Sequence, residues 1–509
     1  MSLLAVDMGT SGCKAIAFSE DGRVLAQKTC AYSHFHSPRA SWAEMPAGNF
    51  WRALASASQA VAAHLTKDPV EVVVISSHGE TIVPVNQQHQ VVAPAILNFD
   101  NRAALEAKWM GDVLGPQRMF QITGLTSHPM YPIPKMLWVR KHQPDTFSSA
   151  AKFLTVPGYI LARMGLPGYV DYSLASRFLA FDVHKRAWSD EILCKCEISA
   201  EKLPDPVPAG SVAGRLPSSA AHELGLREGI TVVVGGHDQP CAALGSGVVE
   251  PGRVSASFGT YECLVAASYR PAISAGALAA NLNSYCHVVP DRYVTLAYFP
   301  SGIMLDWFLR TICLAEDLST TFVDDLLASL EGAVGALPSG LLITPHLLGT
   351  CNPDFNSDAS GIVAGIRPST TRADLYQGIL EGIACEFATM SDLLREAAGS
   401  FEDVYVSGGG ARSVLGLKLR AALSGRRLHL MQCREAVCLG TAMLAAVALG
   451  KHRSLSEAVQ QWVRTSESVV PDPEMAKSYQ GQRQAYGVLY SSLARLRCAR
   501  NCGEAGGVS

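Results

Sequence analysis

The chain has 509 residues, of which 48% are hydrophobic and 17% are charged. This composition is typical of a folded globular protein and excludes an intrinsically disordered one, and the length predicts two or more domains. The 42 Lys and Arg residues against 45 Asp and Glu leave a net charge of −3, which argues against a basic nucleic-acid-binding surface. We therefore expect a small-molecule partner, no nucleic acid and no membrane.

The N-terminus lacks a secretory signal pattern, because Asp7 falls where the apolar core of a signal would run. The fourteen cysteines are scattered along the chain, as expected for reduced thiols rather than a disulfide framework. Both features predict a cytoplasmic location.

Residues 3–18 (LLAVDMGTSGCKAIAF) read as two strands joined by a glycine-rich turn that contains Gly9, Thr10 and Ser11. Consecutive backbone N–H groups in such a turn can point at phosphate oxygens, and Asp7 can hold Mg²⁺ directly or through water. The alternative is a purely structural hairpin in which Asp7 is a turn acceptor.

Two further apolar strands end in polar residues. Residues 70–75 lead into Ser-Ser-His-Gly-Glu, which contains His78 and Gly79, and residues 94–97 lead to Asp100. Turn or capping roles are the alternative for His78 and Asp100.

Helix starts are predicted at three polar residues. Asn49 and Asn101 are each placed to cap a helix, and Thr371 with Asp374 forms a capping box ahead of a long helix.

Residues 231–247 (TVVVGGHDQPCAALGSG) read as a buried strand, two glycines and a helix. The strand delivers Asp238 and Gln239 to its end, which is where open α/β sheets place their chemistry. Read alone, Asp238 is equally a helix cap.

Residues 254–267 repeat the plan of the first hairpin, with Gly259-Thr260 in the turn, 250 residues after Gly9. The repeat predicts two similar domains whose phosphate-type turns face each other across a cleft. We expect an N-terminal domain over 1–249, a C-terminal domain over 250–490 and a disordered tail over 491–509. Glu262, close to the second turn, would repel an anion unless it points away.

Residues 404–407 form a predicted strand that runs into Gly408, Gly409 and Gly410, and a helix follows from Arg412. The missing side chains allow a base or ribose to lie against the backbone. The alternative is a close contact between the strand and the helix.

Together these motifs resemble the FGGY carbohydrate kinases over roughly residues 1–490. Residues 130–142 (MYPIPKMLWVRKH) match the first family signature at every position, and residues 361–381 match the second except at Gly378. Residues 408–413 (GGGARS) look like the family's adenosine motif, and residues 7–10 (DMGT) like its first phosphate motif.

The resemblance implies an α/β fold of two duplicated actin, Hsp70 and hexokinase-type (ribonuclease H-like) domains around a central cleft, with ATP and Mg²⁺ as cofactors. It assigns Asp238 as the general base and Asp7 to Mg²⁺ and the γ-phosphate. Sugar contacts would come from His78, Gly79, Asp100, Asp238 and Gln239. Nucleotide contacts would come from Gly9, Thr10, Ser11, Lys14, Gly259, Thr260, Gly408, Gly409, Gly410 and Arg412. A homodimer is the assembly to test for.

Departures from the family pattern bear on the substrate. Xylulose kinases usually read Met-His-Gly where this chain has Ser77-His78-Gly79, yet a pentulose such as D-xylulose, giving xylulose 5-phosphate, is the first expectation. Residues 100–102 look like gluconate kinases and residues 236–238 like fuculose kinases, so gluconate, fuculose or another sugar or polyol stays open. An acidic substrate would need a basic partner, for which Arg102 is the candidate. A nucleotide switch without sugar phosphorylation, like actin or Hsp70, is the alternative from a different class.

Overall fold

The computed structural model describes residues 2–33, 35–39, 41–65, 68–315, 320–356, 358–490 and 492, with the backbone alone for residues 320 and 321. The predicted tail over 491–509 therefore lies outside the described residues, apart from residue 492.

The strands alternate with helices along the chain, as expected for an α/β protein. In chain order the strands are β1 (Ser2–Met8), β2 (Gly12–Ser19), β3 (Val24–Ala31), β4 (Glu44–Met45), β5 (Val70–Ser77), β6 (Val83–Val85), β7 (Ala95–Ile96), β8 (Lys152–Leu154), β9 (Val170–Asp171), β10 (Phe181–Asp182), β11 (Ala187–Trp188), β12 (Pro206–Val207), β13 (Val212–Arg215), β14 (Thr231–His237), β15 (Arg253–Phe258), β16 (Tyr261–Ser268), β17 (Asn283–Cys286), β18 (Tyr293–Pro300), β19 (Leu342–Thr344), β20 (Ile362–Ala364), β21 (Asp403–Ser407), β22 (Arg427–Met431) and β23 (Thr465–Val469).

The helices are mostly short, with one exception of 27 residues, α14. In chain order they are α1 (Gly48–Ala62), α2 (Ala104–Leu114), α3 (Pro116–Thr123), α4 (Pro132–His142), α5 (Pro144–Ser149), α6 (Val156–Arg163), α7 (Tyr172–Ser176), α8 (Asp190–Cys196), α9 (Ser218–Leu224), α10 (Asp238–Gly245), α11 (Ala275–Ala279), α12 (Gly302–Trp307), α13 (Thr320–Ala333), α14 (Arg372–Ala398), α15 (Val414–Ser424), α16 (Ala436–Ala448), α17 (Leu455–Trp462) and α18 (Pro473–Ser478), with a 3₁₀ turn at Ala200–Lys202 and a π-helical turn at Phe308–Ile312.

Two large sheets repeat one strand plan. The first has the order β13-β14-β5-β1-β2-β3, and the second β17-β18-β16-β15-β21-β22-β23. In the first, the β1–β2 hairpin is followed by the parallel strands β5 and β14 and an antiparallel edge strand, β13. In the second, the hairpin of β15 and β16 is followed by β21 and β22, which are parallel, and by antiparallel β23. Both predicted hairpins are confirmed, and the matching order indicates a duplicated architecture.

The chain forms two compact units over the described residues. The first comprises Met1–Ser255, Val265–Leu296 and Gln432–Arg464, and the second Ala256–Leu264, Ala297–Met431 and Thr465–Ser509. The predicted division at residue 249 lies near the first crossing of the chain between the units. Residues 265–296 and 432–464, which the sequence places in the C-terminal domain, fold with the first unit because their strands and helices pack there.

The first sheet is buried on both faces, which explains why β1 is apolar without alternation. Leu4 and Val6 face a core that includes Phe50 from α1, whereas Leu3 packs on the other side with a cluster that includes Cys438 from α16. α10 and α16 share this second face, and their sequences supply small residues for it.

Two of the predicted helix caps are wrong. α1 begins at Gly48 after Ala47, so Asn49 lies inside the helix, where its Oδ1 accepts from Arg52. α2 begins only at Ala104, and its N-cap is Ala103 rather than Asn101. The capping box of Thr371 with Asp374 is confirmed at the start of α14.

Candidate active site

Three parallel strands of the first sheet, β14, β5 and β1, end side by side. Asp7 pairs in register with Ser76, and His237 pairs with Ser77. The strand ends therefore bring Asp7, His78 and Asp238 to one edge of the sheet, although they come from distant parts of the sequence. This is the edge at which open α/β sheets bind ligands.

The two glycines before His237 are required by close packing. A Cβ on Gly235 would lie 2.2 Å from the carbonyl oxygen of Ile75, and one on Gly236 would lie 2.4 Å from Cγ1 of Val288. The pairing of β14 with β5 shifts register between Val234 and His237, and such a bulge re-aims the residues that follow it. The glycines thus set the direction in which the strand presents His237 and Asp238.

Asp238 is the first residue of α10 and lies next to a buried histidine. Its Oδ1 is 3.1 Å from Nε2 of His237, whose Nδ1 is 2.8 Å from the hydroxyl of Tyr285. Burial, with Asp7 and Glu80 adding to it, raises the pKa of Asp238 well above its usual value. A carboxylate with a raised pKa that is still partly open to solvent (22% of its side chain) is suited to accept a proton.

Asp7 has one oxygen with no partner. Its Oδ1 is buried without a hydrogen bond, and burial raises the pKa of Asp7 to about 7, with Lys14 lowering and Glu435 raising it. Lys14 stands opposite Asp7 in the β1–β2 ladder and is paired with Glu435, the residue before α16. Glu435 is not identified from the sequence, because nothing in its local pattern marks it.

His78 is buried and both of its ring nitrogens have protein partners. Nδ1 lies 2.8 Å from the carbonyl oxygen of Met8, which can only accept, so Nδ1 carries the proton. Nε2 then accepts from the hydroxyl of Thr81 at 2.7 Å. Burial lowers the pKa of His78. The structure therefore places this predicted sugar residue at the site as a neutral imidazole engaged with the protein.

Asp100 is fully buried and holds Arg102. Its Oδ2 accepts from Nη2 of Arg102 at 2.8 Å and from the backbone N–H of Ala43 at 2.5 Å. Arg102 also donates to Glu44 at 2.7 Å and lies over the ring of Trp42, 4.2 Å from its centroid. Two carboxylates thus neutralise Arg102, which the sequence analysis considers as a partner for an acidic substrate.

A second buried ion pair borders Gly79. Arg177 donates its Nε–H to Glu80 at 2.5 Å and its Nη1–H to Asn283 at 2.8 Å. A Cβ on Gly79 would lie 3.2 Å from both Cγ of Arg177 and Nε2 of His237. Gly79 therefore lets the pair approach the histidine beside Asp238. Arg177 and Asn283 are not identified from the sequence, because they become neighbours of this site only through folding.

The second unit contains a cavity of about 300 Å³ next to the repeated hairpin and the triple-glycine turn. Of the predicted nucleotide residues it is lined by Gly259, Thr260, Gly409, Gly410 and Arg412. Gly408 instead packs on the backbone, because its Cβ would lie 2.5 Å from the carbonyl oxygen of Phe258. One glycine of the turn thus makes a close backbone contact, and two line the cavity.

Glu262 is not among the residues that line this cavity. It is buried in an ion pair with Arg420, whose Nε donates to Oε2 at 3.0 Å, and it accepts from the hydroxyl of Ser301 at 2.6 Å. Arg420 thus neutralises the carboxylate that the sequence expects to repel an anion unless it points away.

Over the described ranges, His, Cys, Asp and Glu residues form no group of three or more that could hold a metal ion. None of the helices in the described part of the chain is long and apolar enough to cross a membrane.

The chain matches two domains of one protein family. The N-terminal domain of the FGGY family of carbohydrate kinases matches residues 2–245, and its C-terminal domain matches residues 254–449. A xylulose kinase from Escherichia coli is 30% identical over 97% of this chain and 99% of its own length. A gluconokinase from Bacillus licheniformis is 25% identical over 94% of this chain and 93% of its own length.

A solved structure shares the fold. The crystal structure of a xylulose kinase from Lactobacillus acidophilus superposes with a TM-score of 0.87, covering 97% of this chain and 98% of that one at 20% identity. The predicted two-domain α/β fold of the actin and hexokinase type is thereby confirmed.

Proposed function

We propose that this chain, which belongs to the FGGY family of carbohydrate kinases, transfers the γ-phosphate of ATP to a neutral pentulose, D-xylulose in the first place, to give xylulose 5-phosphate. Family membership makes the chain a sugar kinase, a phosphotransferase, and sets aside the nucleotide switch considered from the sequence. The choice of sugar is supported by the relative named xylulose kinase at 30% identity.

The observation that carries the choice of a neutral sugar is the pairing of two arginines. Arg102 is bound by Asp100 and Glu44, and Arg177 is bound by Glu80. A substrate carboxylate would need a guanidinium free to form a charge-assisted pair, and these two are already neutralised. Gluconate, favoured by the resemblance of residues 100–102 to gluconate kinases, is therefore the second candidate.

Asp238 is the proposed general base. It accepts the proton of the sugar hydroxyl whose oxygen attacks the γ-phosphorus, since phosphoryl transfer needs one carboxylate to orient the nucleophile. Its raised pKa supports this role, because a carboxylate with a raised pKa accepts a proton more readily than an ordinary one. Gln239, half-buried beside it, with His78, Gly79 and Asp100, is proposed to shape the sugar site.

Asp7 fits a divalent cation. Its buried Oδ1 lacks a hydrogen-bond partner, and a carboxylate oxygen is a ligand that Mg²⁺ prefers. Mg²⁺ commonly keeps most of its waters and takes only one or two carboxylates, with phosphate oxygens as further ligands. Bound there, the ion would neutralise charge on the phosphates.

The nucleotide is proposed to use two sets of backbone groups. In the first unit Thr10 and Ser11 offer turn N–H groups beside Gly9, whose own N–H closes the turn by donating to the carbonyl of Gly12. Lys14 is a cation beside them. In the second unit Gly259 and Thr260 offer the repeated turn, and Gly409, Gly410 and Arg412 line the cavity for the nucleoside. Consecutive N–H groups in such turns bind anions.

The substrate is tested by ADP release with D-xylulose, D-ribulose, L-fuculose, glycerol and gluconate under the same MgATP concentration. We expect the highest kcat/KM for D-xylulose, and phosphorus–proton coupling in the product is expected to show phosphate on carbon 5. A higher kcat/KM for gluconate would overturn the choice of a neutral sugar.

The base is tested by Asp238→Ala. We expect a folded protein that binds ATP with unchanged affinity and has turnover lowered about 10²- to 10⁴-fold. Activity near that of the wild type would refute the assignment of Asp238.

A further inference from the structure

A chain of close polar contacts reaches Asp238 from β17. The hydroxyl of Tyr285 lies 2.8 Å from Nδ1 of His237, and Nε2 of His237 lies 3.1 Å from Oδ1 of Asp238. Tyr285 and His237 are both buried, at 0% and 5% exposure. A polar chain that is removed from water and ends on a partly exposed carboxylate can direct that carboxylate.

The partners determine which nitrogen of His237 carries the proton. Nε2 lies 3.1 Å from a carboxylate that, when ionised, can only accept. We therefore assign the ring proton to Nε2, and Nδ1 of the neutral ring is then an acceptor. The hydroxyl of Tyr285 must therefore donate to Nδ1. Burial and the charge of Arg177 lower the pKa of His237 to about 3, which keeps the ring neutral.

The neighbouring protein supports both His237 and Tyr285. The backbone N–H of His237 donates to Oγ of Ser173 at 2.9 Å, and Ser173 donates to Asp171 at 2.6 Å. Arg177 lies over the ring of Tyr285, 5.0 Å from its centroid. Supports of this kind lock the orientation of a ring, as neighbours of functional groups commonly do.

We propose that His237 is a positioning residue for the proposed base: it donates Nε2–H to Asp238, fixing the carboxylate and stabilising its ionised form, and Tyr285 holds His237 in the required tautomer. This inference rests on the proposed role of Asp238. His237 itself does not take up the proton of the sugar hydroxyl.

The charges around Asp238 make the donor important. Burial, and after it the charges of Asp7 and Glu80, raise the pKa of Asp238, whereas the backbone N–H of Gln239 and the charge of Arg177 lower it. Around His237 stand Arg177, Glu80 and His78. A donor to the charged form favours ionisation, so losing the N–H of His237 raises the pKa of a carboxylate that is already hard to ionise.

The test compares His237→Leu with His237→Gln, D-xylulose and MgATP being the substrates. His237→Leu removes the donor, and we expect kcat to fall about 10- to 100-fold, the KM for ATP to stay constant and the acid limb of the pH–rate profile to move up by about one pH unit. His237→Gln keeps an amide N–H near the position of Nε2, and we expect most of kcat and the original acid limb to return.

Tyr285→Phe tests the tautomer and remains informative if His237→Leu does not fold. We expect kcat to fall about 3- to 10-fold with the same upward movement of the acid limb. The matched control is Tyr293→Phe, which removes a buried hydroxyl on the neighbouring strand that donates to the carbonyl of Val183. It is expected to leave kcat and the pH profile unchanged.

The outcomes separate this inference from the proposed function. The positioning role is overturned if the acid limb does not move in His237→Leu, or in Tyr285→Phe where His237→Leu does not fold. In that case an inactive Asp238→Asn still upholds Asp238 as the base. Asp238→Asn with full turnover would overturn both.

Discussion

Lys14 and Glu435 form an ion pair whose Nζ and Oε2 atoms lie 2.5 Å apart, although 421 residues of chain separate them. Glu435 immediately precedes α16, and Lys14 lies on β2 opposite Asp7. The pair ties the start of a helix to the first phosphate-type hairpin. The ion pair also holds Lys14, the cation of that hairpin that the sequence assigns to the nucleotide.

Removing the two members of this pair is expected to have different effects on the KM for ATP. Lys14→Met is expected to raise the KM for ATP about tenfold, because a charge for the phosphates is lost. Glu435→Gln is expected not to raise it, since Lys14 is then released from its competing carboxylate. Both side chains are about one third exposed (33% and 36%), so each change in unfolding free energy should stay below about 1 kcal/mol.

Steady-state kinetics at varied ATP, with denaturant unfolding of each variant, checks this prediction. Lys28→Met makes the same chemical change on the exposed neighbouring strand β3 and is the control. An equal rise of KM in Lys14→Met and Glu435→Gln would mean that the pair acts only as a structural link.

The buried pair of Glu262 and Arg420 should be costly to break. Their side chains are 2% and 4% exposed, and Glu262→Gln leaves a buried guanidinium without its counterion. We expect a loss of about 3–5 kcal/mol in unfolding free energy, of which the double variant Glu262→Gln with Arg420→Met recovers a part. In denaturant unfolding, Asp112→Asn at the exposed pair with Lys108 is the control and should change stability by less than about 0.5 kcal/mol.

The crossing of α10 and α16 depends on two glycines. A Cβ on Gly440 would lie 2.0 Å from the carbonyl oxygen of Cys241, and one on Gly245 would lie 2.0 Å from that of Ala436. Gly440→Ala is therefore expected to cost about 1–3 kcal/mol of stability and to lower kcat, because α10 carries Asp238 at its start. Gly332→Ala, where a Cβ meets nothing within 4 Å on α13, should be neutral or slightly stabilising. Thermal unfolding and kcat are measured for both variants. Equal changes in the two variants would contradict the prediction.

His287 is expected to account for part of the loss of unfolding free energy at acidic pH. Nε2–H donates to the carbonyl of Val248 at 2.9 Å and Nδ1 accepts from the N–H of Val288 at 2.8 Å, so the buried ring is neutral. Burial lowers its pKa to about 4, against about 6.5 when unfolded. Between these values the unfolded chain binds the proton and the folded one does not, so the stabilisation present above pH 6.5 is lost as the pH falls through 4.

Unfolding free energies of His287→Gln measured from pH 4 to pH 7 check this. The variant is expected to be less stable at pH 7 and to lose less stability than the wild type on acidification. A pH dependence as steep as that of the wild type would contradict the assignment.

The sequence by itself determined the elements whose signals are local. Apolar strands followed by Gly-Thr turns identified both hairpins, and a buried strand ending in two glycines located Asp238. The capping box at Thr371 was found because its two members are three residues apart. The same local logic failed at Asn49 and Asn101, because α1 begins at Gly48 and α2 only at Ala104.

Only the tertiary structure decided which groups surround these carboxylates. His237 is next to Asp238 in sequence, but Tyr285, which defines its tautomer, comes from a strand 48 residues away. Glu435 meets Lys14, and Arg420 neutralises Glu262, across 421 and 158 residues. Pairings at such distances follow from the order of strands in the sheets and from burial, which forces charged groups to find partners. Local residue patterns give neither the order of the strands nor the burial of the charged groups.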